Sequence, residues 1–327
     1  MTTHRFAIAA ALILACLFPL FAASIGQTAL VGLATRILIY AIAAASLNIV
    51  MGFGGMVSFG HAAFFGVGGY AVGVLAAHHG ADPIFGLLPG SNAFLVAVPV
   101  AMLCAAVVAA IIGALSLRTG GAQFIMITLA FAQILFFLAV SIKAYGGDEG
   151  LVIRRPNALF GLNLRDRATM YFVTLAITAG FLALVWRLKA STFGAVLNGV
   201  RQNERRMAAL GYDTYGVRLY AFILSGAGTG LAGALMANAL RFASPDMLHW
   251  TKSGDFIIMV VLGGLGTLAG PLLGAAAFLT LETYLGAWTQ YWQLPLGIIL
   301  LLVVLGTKGG LMRLLTLSGD WIRRRLP

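Results

Sequence analysis

Polar side chains set inside long apolar runs are where this chain of 327 residues could do chemistry. Ser46, Asn48, Ser58, His61, Gln123, Thr128, Gln133, Asn238 and Glu282 all sit in such runs. At membrane depth a polar group is costly, and it marks a substrate path, a proton relay or a contact between helices. The serines and Thr128 can instead bond the carbonyl four residues back, and the amides can tie neighbouring helices together. His61 suits a proton carrier or a ligand-facing donor; a buried, hydrogen-bonded ring is the expected role. Glu282 has no cation nearby in sequence, and Arg36, which also lies within a run, is its candidate partner across the bundle. Catalytic arrangements are missing from the pattern. His78 and His79 are adjacent rather than one helical turn apart, carboxylates are scarce, and Cys16 and Cys104 are buried hydrophobes by position. Hence no catalytic residue, metal ligand or cofactor site is expected.

A second group of residues is built for contact rather than chemistry. Between 191 and 211, Phe193, Val196, Leu197, Val200, Met207 and Leu210 recur at steps of three and four, while Asn198, Arg201, Gln202, Arg205 and Arg206 take the other side. That spacing predicts one amphipathic helix, with a Glu204–Arg201 pair and a left-handed stop at Gly211. Such a helix can lie on a membrane, cover a bundle or dock in a partner's groove.

These residues must be positioned by membrane-spanning elements. The chain is 61% hydrophobic and 9% charged, with a mean hydropathy of +0.96, whereas soluble domains carry about 25% charged residues. A bilayer core needs about 20 apolar residues per helix, and backbone groups in lipid must pair internally. Apolar runs at 6–23, 29–50, 55–77, 93–116, 121–142, 169–186, 217–240, 255–285 and 291–306 lack period-2 alternation, so helices are expected rather than a barrel. Arg5, the first run and Ala22-Ala23-Ser24 together resemble a signal peptide. The run is long enough to span, and an uncleaved first helix is expected.

The net charge of +11 comes from basic residues in short loops. This is a topology signal rather than a nucleic-acid footprint. Placing 187–216 in the cytoplasm puts thirteen Lys/Arg on that side and seven on the other, with both termini inside. An even number of crossings, eight or ten, is then required. The run 255–285 is too long for one crossing and holds Gly263, Gly264, Gly266, Gly270 and Pro271, so it is expected to break into a helical hairpin near 255–265 and 271–285. A second glycine-rich break lies at 52–60. Paired broken helices point to a transport site.

The ordered motifs carry a family resemblance. NIVMGFGGMVSFGHAAFFGVGGY from Asn48 to Tyr70, Thr128-Leu129-Ala130-Phe131, Gly146 to Leu151, Ser191-Thr-Phe-Gly, Arg201-Gln-Asn-Glu204, Ala208-Ala209-Leu210-Gly211, Ser225 to Leu235 and Gly263 to Pro271 occur in sequence order. The set resembles the permease family of branched-chain amino-acid ABC importers (LIV-type) over about residues 30–306. The resemblance implies a single all-α, polytopic permease domain over 1–327, in a bacterial inner membrane, with no catalysis of its own. The loop 187–216 is similar to the "EAA" coupling loop, which implies that Arg201, Glu204, Ala208, Ala209 and Gly211 contact a separate ATPase. The direct succession Glu204-Arg205-Arg206 departs from the small or apolar residues more usual there. Implied partners are a second related permease, cytoplasmic ATP-binding subunits, an extracytoplasmic substrate-binding protein and membrane lipid, with no nucleic acid. Asn48, Ser58, His61, Gln123, Thr128, Gly263, Gly264 and Gly266 are the candidates for pathway or gating. Branched-chain or other apolar amino acids are the implied cargo. Urea, short amides and aromatic acids stay open as cargo, and a stand-alone ion-coupled transporter stays open as another class.

Overall fold

The computed structural model describes residues 15–19, 22, 27–79, 90–154, 157–159, 162, 164–306 and 309–313. The first apolar run, the tip of the loop at 78–92 and the basic C-terminal tail lie largely or wholly outside these residues.

The chain is an α-helical bundle. Its described helices are α1 (Thr28–Asn48), α2 (His61–Ala77), α3 (Phe94–Ser116), α4 (Ala122–Ser141), α5 (Arg167–Ala190), α6 (Thr192–Gln202), α7 (Glu204–Ala209), α8 (Thr214–Leu240), α9 (Trp250–Gly263), α10 (Gly270–Trp288) and α11 (Gln293–Gly306). Among the described residues, five segments are long and apolar enough to cross a membrane: Ala29–Phe53, Phe94–Ser116, Ala122–Ser141, Arg167–Ala190 and Thr214–Leu240.

Small residues decide what sits at the centre. Helix α8 packs against α1, α2 and α3. A Cβ on Gly226 or Gly230 would overlap Ala109 or Ala105 of α3, and one on Gly233 would overlap the Phe65 carbonyl of α2. Small residues let helix backbones close up where lipid supplies no hydrophobic drive. The apolar window of α8 is accordingly 72% buried, whereas that of α4 is 17% buried, with Met126, Ile134, Phe137 and Leu138 exposed on its outer side. Cys16 is exposed and Cys104 half-buried, rather than buried as their positions suggested. An apolar run in a membrane protein can face lipid as readily as the core, so apolar neighbours alone do not imply burial.

Two expected helices differ in extent. The run 55–77 becomes helical only at His61, because the chain first makes a π-helical turn at Ile49–Phe53 and then an irregular loop. The run 255–285 does break, into α9 and α10 around a turn at 264–269. At the end of the bundle away from that turn, a short antiparallel pair, β1 (Leu151–Val152) and β2 (Phe242–Ala243), ties the polar 143–168 region to the exit of α8.

Candidate functional site

Helix α1 ends where glycines let it widen. Gly54 N–H bonds the Ile49 carbonyl at 3.1 Å, a step of five, and single π turns of this kind gather at functional sites. The last α-helical residue, Asn48, reaches across the bundle. Its Nδ2 donates to the Thr267 carbonyl at 2.8 Å, and its Oδ1 accepts from Gly266 N–H at 3.0 Å. One carboxamide therefore satisfies both polarities of the turn between α9 and α10. Gly266 has φ +71°, which favours glycine. At Gly52 the reason for glycine is space, since a Cβ would overlap the Asn48 carboxamide and the Gly266 backbone. The two glycine-rich breaks thus meet face to face.

Two cations lock this junction from the side of the amphipathic segment. Lys189, in the last turn of α5, donates to the Gly266 carbonyl at 3.0 Å and lies 5.1 Å from the centre of the Phe53 ring. Arg201, near the end of α6, donates to the Gly52 carbonyl within the π turn, and its side chain covers Gly55. Leu197 and Val200 of α6 are buried beneath it. A cleft of about 520 Å³ opens beside the junction, lined by Met51, Gly55, Leu117, Phe124, Arg201 and Arg218.

The expected single helix over 191–211 is two. Asn203 is extended (φ −159°, ψ 99°), and its Oδ1 accepts from Arg206 N–H at 2.9 Å as the cap of α7. Starting a second helix there removes Glu204 from the face of Arg201, so the expected Glu204–Arg201 pair is not formed. Glu204 instead pairs with Arg218 of α8 at 2.7 Å, and Arg201 turns to the π turn. Gly211 ends the segment with φ +89°. Ala208 and Ala209 are exposed beside Leu210 and Tyr212, which are 66% and 47% exposed.

A further layer holds the loop that follows the π turn. Thr128 of α4 accepts from Phe59 N–H at 3.2 Å and donates to the Ile125 carbonyl. Ser253 of α9 donates to the Phe59 carbonyl at 2.6 Å and accepts from Ala62 N–H at 2.8 Å. Ser58 is buried and accepts from Gly60 N–H. His61 is fully buried, with Nε2 2.7 Å from Ser225 Oγ. The Ser225 hydroxyl proton goes to the Ser46 carbonyl. The Ser225 oxygen must therefore accept, which places the imidazole proton on Nε2 and leaves Nδ1 unpartnered among the described residues. The rings of Phe64 and Phe222 stand edge-on against this imidazole.

Among the sequence candidates, Asn48, Gly266 and Arg201 meet at the junction. Gly263 and Gly264 close its hairpin, Gly264 with φ +120°. Ser58, His61 and Thr128 form the layer behind. Gln123 does not join them; it is exposed in the first turn of α4. Gln133 is half-buried, with Oε1 unpartnered among the described residues. Asn238 bonds its own helix at Ala234 and accepts from Asn157 N–H. Sequence reading missed Lys189 and Arg218, which look like topology charges, and Ser253, which lies outside the apolar run. The candidate Arg36–Glu282 pairing is present at 4.0 Å.

A polytopic helical bundle whose broken helices meet beneath an amphipathic segment defines a multi-pass membrane protein of the transporter type. Residues 29–305 match the family model described as the branched-chain amino acid transport system / permease component, and the chain belongs to that family. It is 27% identical over 311 residues to the high-affinity branched-chain amino acid transport system permease protein LivM of Escherichia coli (strain K12), covering 86% of this chain and 69% of that protein. It is 27% identical to the probable branched-chain amino acid transport permease protein LivM of Methanocaldococcus jannaschii, over 80% of this chain and 82% of the relative. A shorter stretch, 32% of this chain, is 31% identical to the probable permease protein LivH of the same organism. No solved structure matches the chain.

Proposed function

We propose that this chain is one pathway-forming permease subunit of an ATP-driven importer, with ATP hydrolysed on a separate cytoplasmic subunit. The observation that carries the proposal is the hydrogen bond from Arg201 to the Gly52 carbonyl. It joins a surface helix directly to the point where two broken membrane segments meet. A push on α6 and α7 would move the π turn through Arg201 and the α9–α10 turn through Asn48, with no flexible linker between. The exposed Ala208–Tyr212 surface is the docking face for the ATPase, and 187–216 lies in the cytoplasm.

The cargo class is a branched-chain or other apolar amino acid, in keeping with the names of the LivM relatives. A second, related permease completes the pathway, and an extracytoplasmic binding protein delivers the substrate. That LivM and LivH proteins of one organism are both similar to this chain favours a pair of related subunits.

The test is co-purification with candidate ATP-binding subunits from the same organism. Wild type should form the complex and stimulate hydrolysis. Bulky replacements at Ala208 and Gly211, together with Glu204→Lys, should abolish both. Survival of complex formation and stimulation in these variants would contradict the docking assignment.

A further inference from the structure

Four charged side chains lie inside the bundle at one level, on three helices packed on one another. Arg36 is on α1, Lys252 and Asp255 are on α9, and Glu282 is on α10. At 1.5 Å per residue Arg36 stands about 18 Å along α1 from Asn48, and Glu282 stands about 18 Å along α10 from its start at the junction. Lys252 and Asp255 stand about 12–17 Å along α9 from the same turn. The charges balance: Lys252 pairs with Asp255 at 3.2 Å, and Arg36 approaches Glu282 only to 4.0 Å. That distance is beyond hydrogen-bond reach and leaves the guanidinium fork free to take another carboxylate.

These groups are not sealed. Their side chains are 23–39% exposed. A charge at membrane depth faces a water-filled cavity or another protein group, not lipid. The backbone beside them is also bare. Gly32 lies one turn from Arg36, Gly254 lies between Lys252 and Asp255, and Gly286 lies one turn past Glu282; a Cβ on any of the three would meet nothing within 4 Å among the described residues. On the junction side the level has an aromatic floor. Tyr40 and Phe256, each one turn below a charge, pack with Phe65, and all three are buried.

We infer that this open, charge-balanced level is where the permease holds the zwitterionic head of an α-amino acid, its carboxylate at Arg36 and Lys252 and its ammonium at Glu282 and Asp255. The inference rests on the reading of the chain as a pathway subunit for amino acids. Zwitterions suit such a site, because the head brings one charge of each sign and the net charge within the bundle stays at zero. The glycines leave room for the substrate's backbone, and the aromatic floor stops passage until the helices move.

The complete transporter in proteoliposomes, with its ATP-binding subunits and binding protein, tests this. In a background lacking Cys16 and Cys104, Glu282→Cys should react with a membrane-impermeant cationic methanethiosulfonate, and transported amino acid should slow the reaction. Arg36→Gln and Glu282→Gln should lower uptake at saturating binding protein about tenfold, the worth of one charge-assisted hydrogen bond, while stimulated ATP hydrolysis persists. Gly286→Trp adds bulk where a Cβ meets no described atom and should block uptake in the same way. Failure of the Glu282→Cys protein to react, reaction indifferent to substrate, or full uptake by the Gly286→Trp protein would each overturn the assignment. Absence of amino-acid uptake by the wild-type transporter would refute the proposed function instead, so the two failures are distinguishable.

Discussion

Asn48 and His61 look alike in the sequence, as lone polar residues in apolar helices, yet their surroundings differ. Asn48 satisfies a donor and an acceptor on another segment. Replacing it with Ala orphans both, at about 1–3 kcal/mol for each buried group. Asn48→Asp keeps the acceptor but sets a carboxylate against the Thr267 carbonyl, so it should be the more damaging change. Thermal unfolding of the purified protein would rank wild type above Ala and Ala above Asp. His61 is a pin between α2, α8 and α1. His61→Gln preserves a donor near Nε2 and should retain most transport, whereas His61→Ala leaves a cavity and a Ser225 oxygen without the donor it accepts from, costing about 2–3 kcal/mol. Equal and complete loss of transport in both variants would favour a proton-carrying role. Sequence position singled these residues out, but not their partners. The contacts of Asn48 span more than two hundred residues, and no local spacing encodes them.

At the scale of elements, the glycine breaks were legible and their meeting was not. Glycine clusters announce a turn by composition, whereas contact between two turns depends on the packing of α1, α9 and α10. Glycines of the two kinds should behave oppositely. Gly52→Ala forces apart the Asn48–Gly266 contact and should cost about 1–3 kcal/mol of overpacking. Gly180→Ala in α5 has open space around it and should gain up to about 1 kcal/mol. Melting temperatures of the two variants would check the signs. The split at Asn203 escaped the periodic reading because the apolar stripe continues at compatible spacing on both sides of the cap. The start of α5 offers a pH test. Thr169 donates to Asp166 Oδ2 from its backbone N–H at 3.0 Å and its hydroxyl at 2.9 Å, and these bonds hold the carboxyl below the usual 3.8. The cap is fully effective above the unfolded value and is lost as pH falls through the lower folded one. Protection of the amides at 167–170, relative to their intrinsic exchange rates at each pH, should therefore fall at acid pH in wild type, and Asp166→Asn should remove that dependence.

At the scale of the molecule, composition alone dictated a membrane bundle, since so few charges cannot cover a soluble surface. The bias of basic residues favours 187–216 in the cytoplasm and 143–154 on the other face. Single cysteines at 209 and 148 should label from opposite sides in oriented vesicles. Labelling of both from one side would contradict the orientation. The proposed coupling route was only partly legible. Arg201 was marked by its family-like setting, whereas its target, a carbonyl exposed by the π turn, appears only in three dimensions.

In the proposed mechanism, Arg201 transmits the work of a separate ATPase to the junction of the broken helices. The most direct test is the number of amino acids imported per ATP hydrolysed by complete transporters carrying Arg201→Gln. The assembled complex should still hydrolyse ATP when the binding protein is present, while import per ATP falls about tenfold for loss of a hydrogen bond from a charged donor. An unchanged ratio in an intact complex would contradict it.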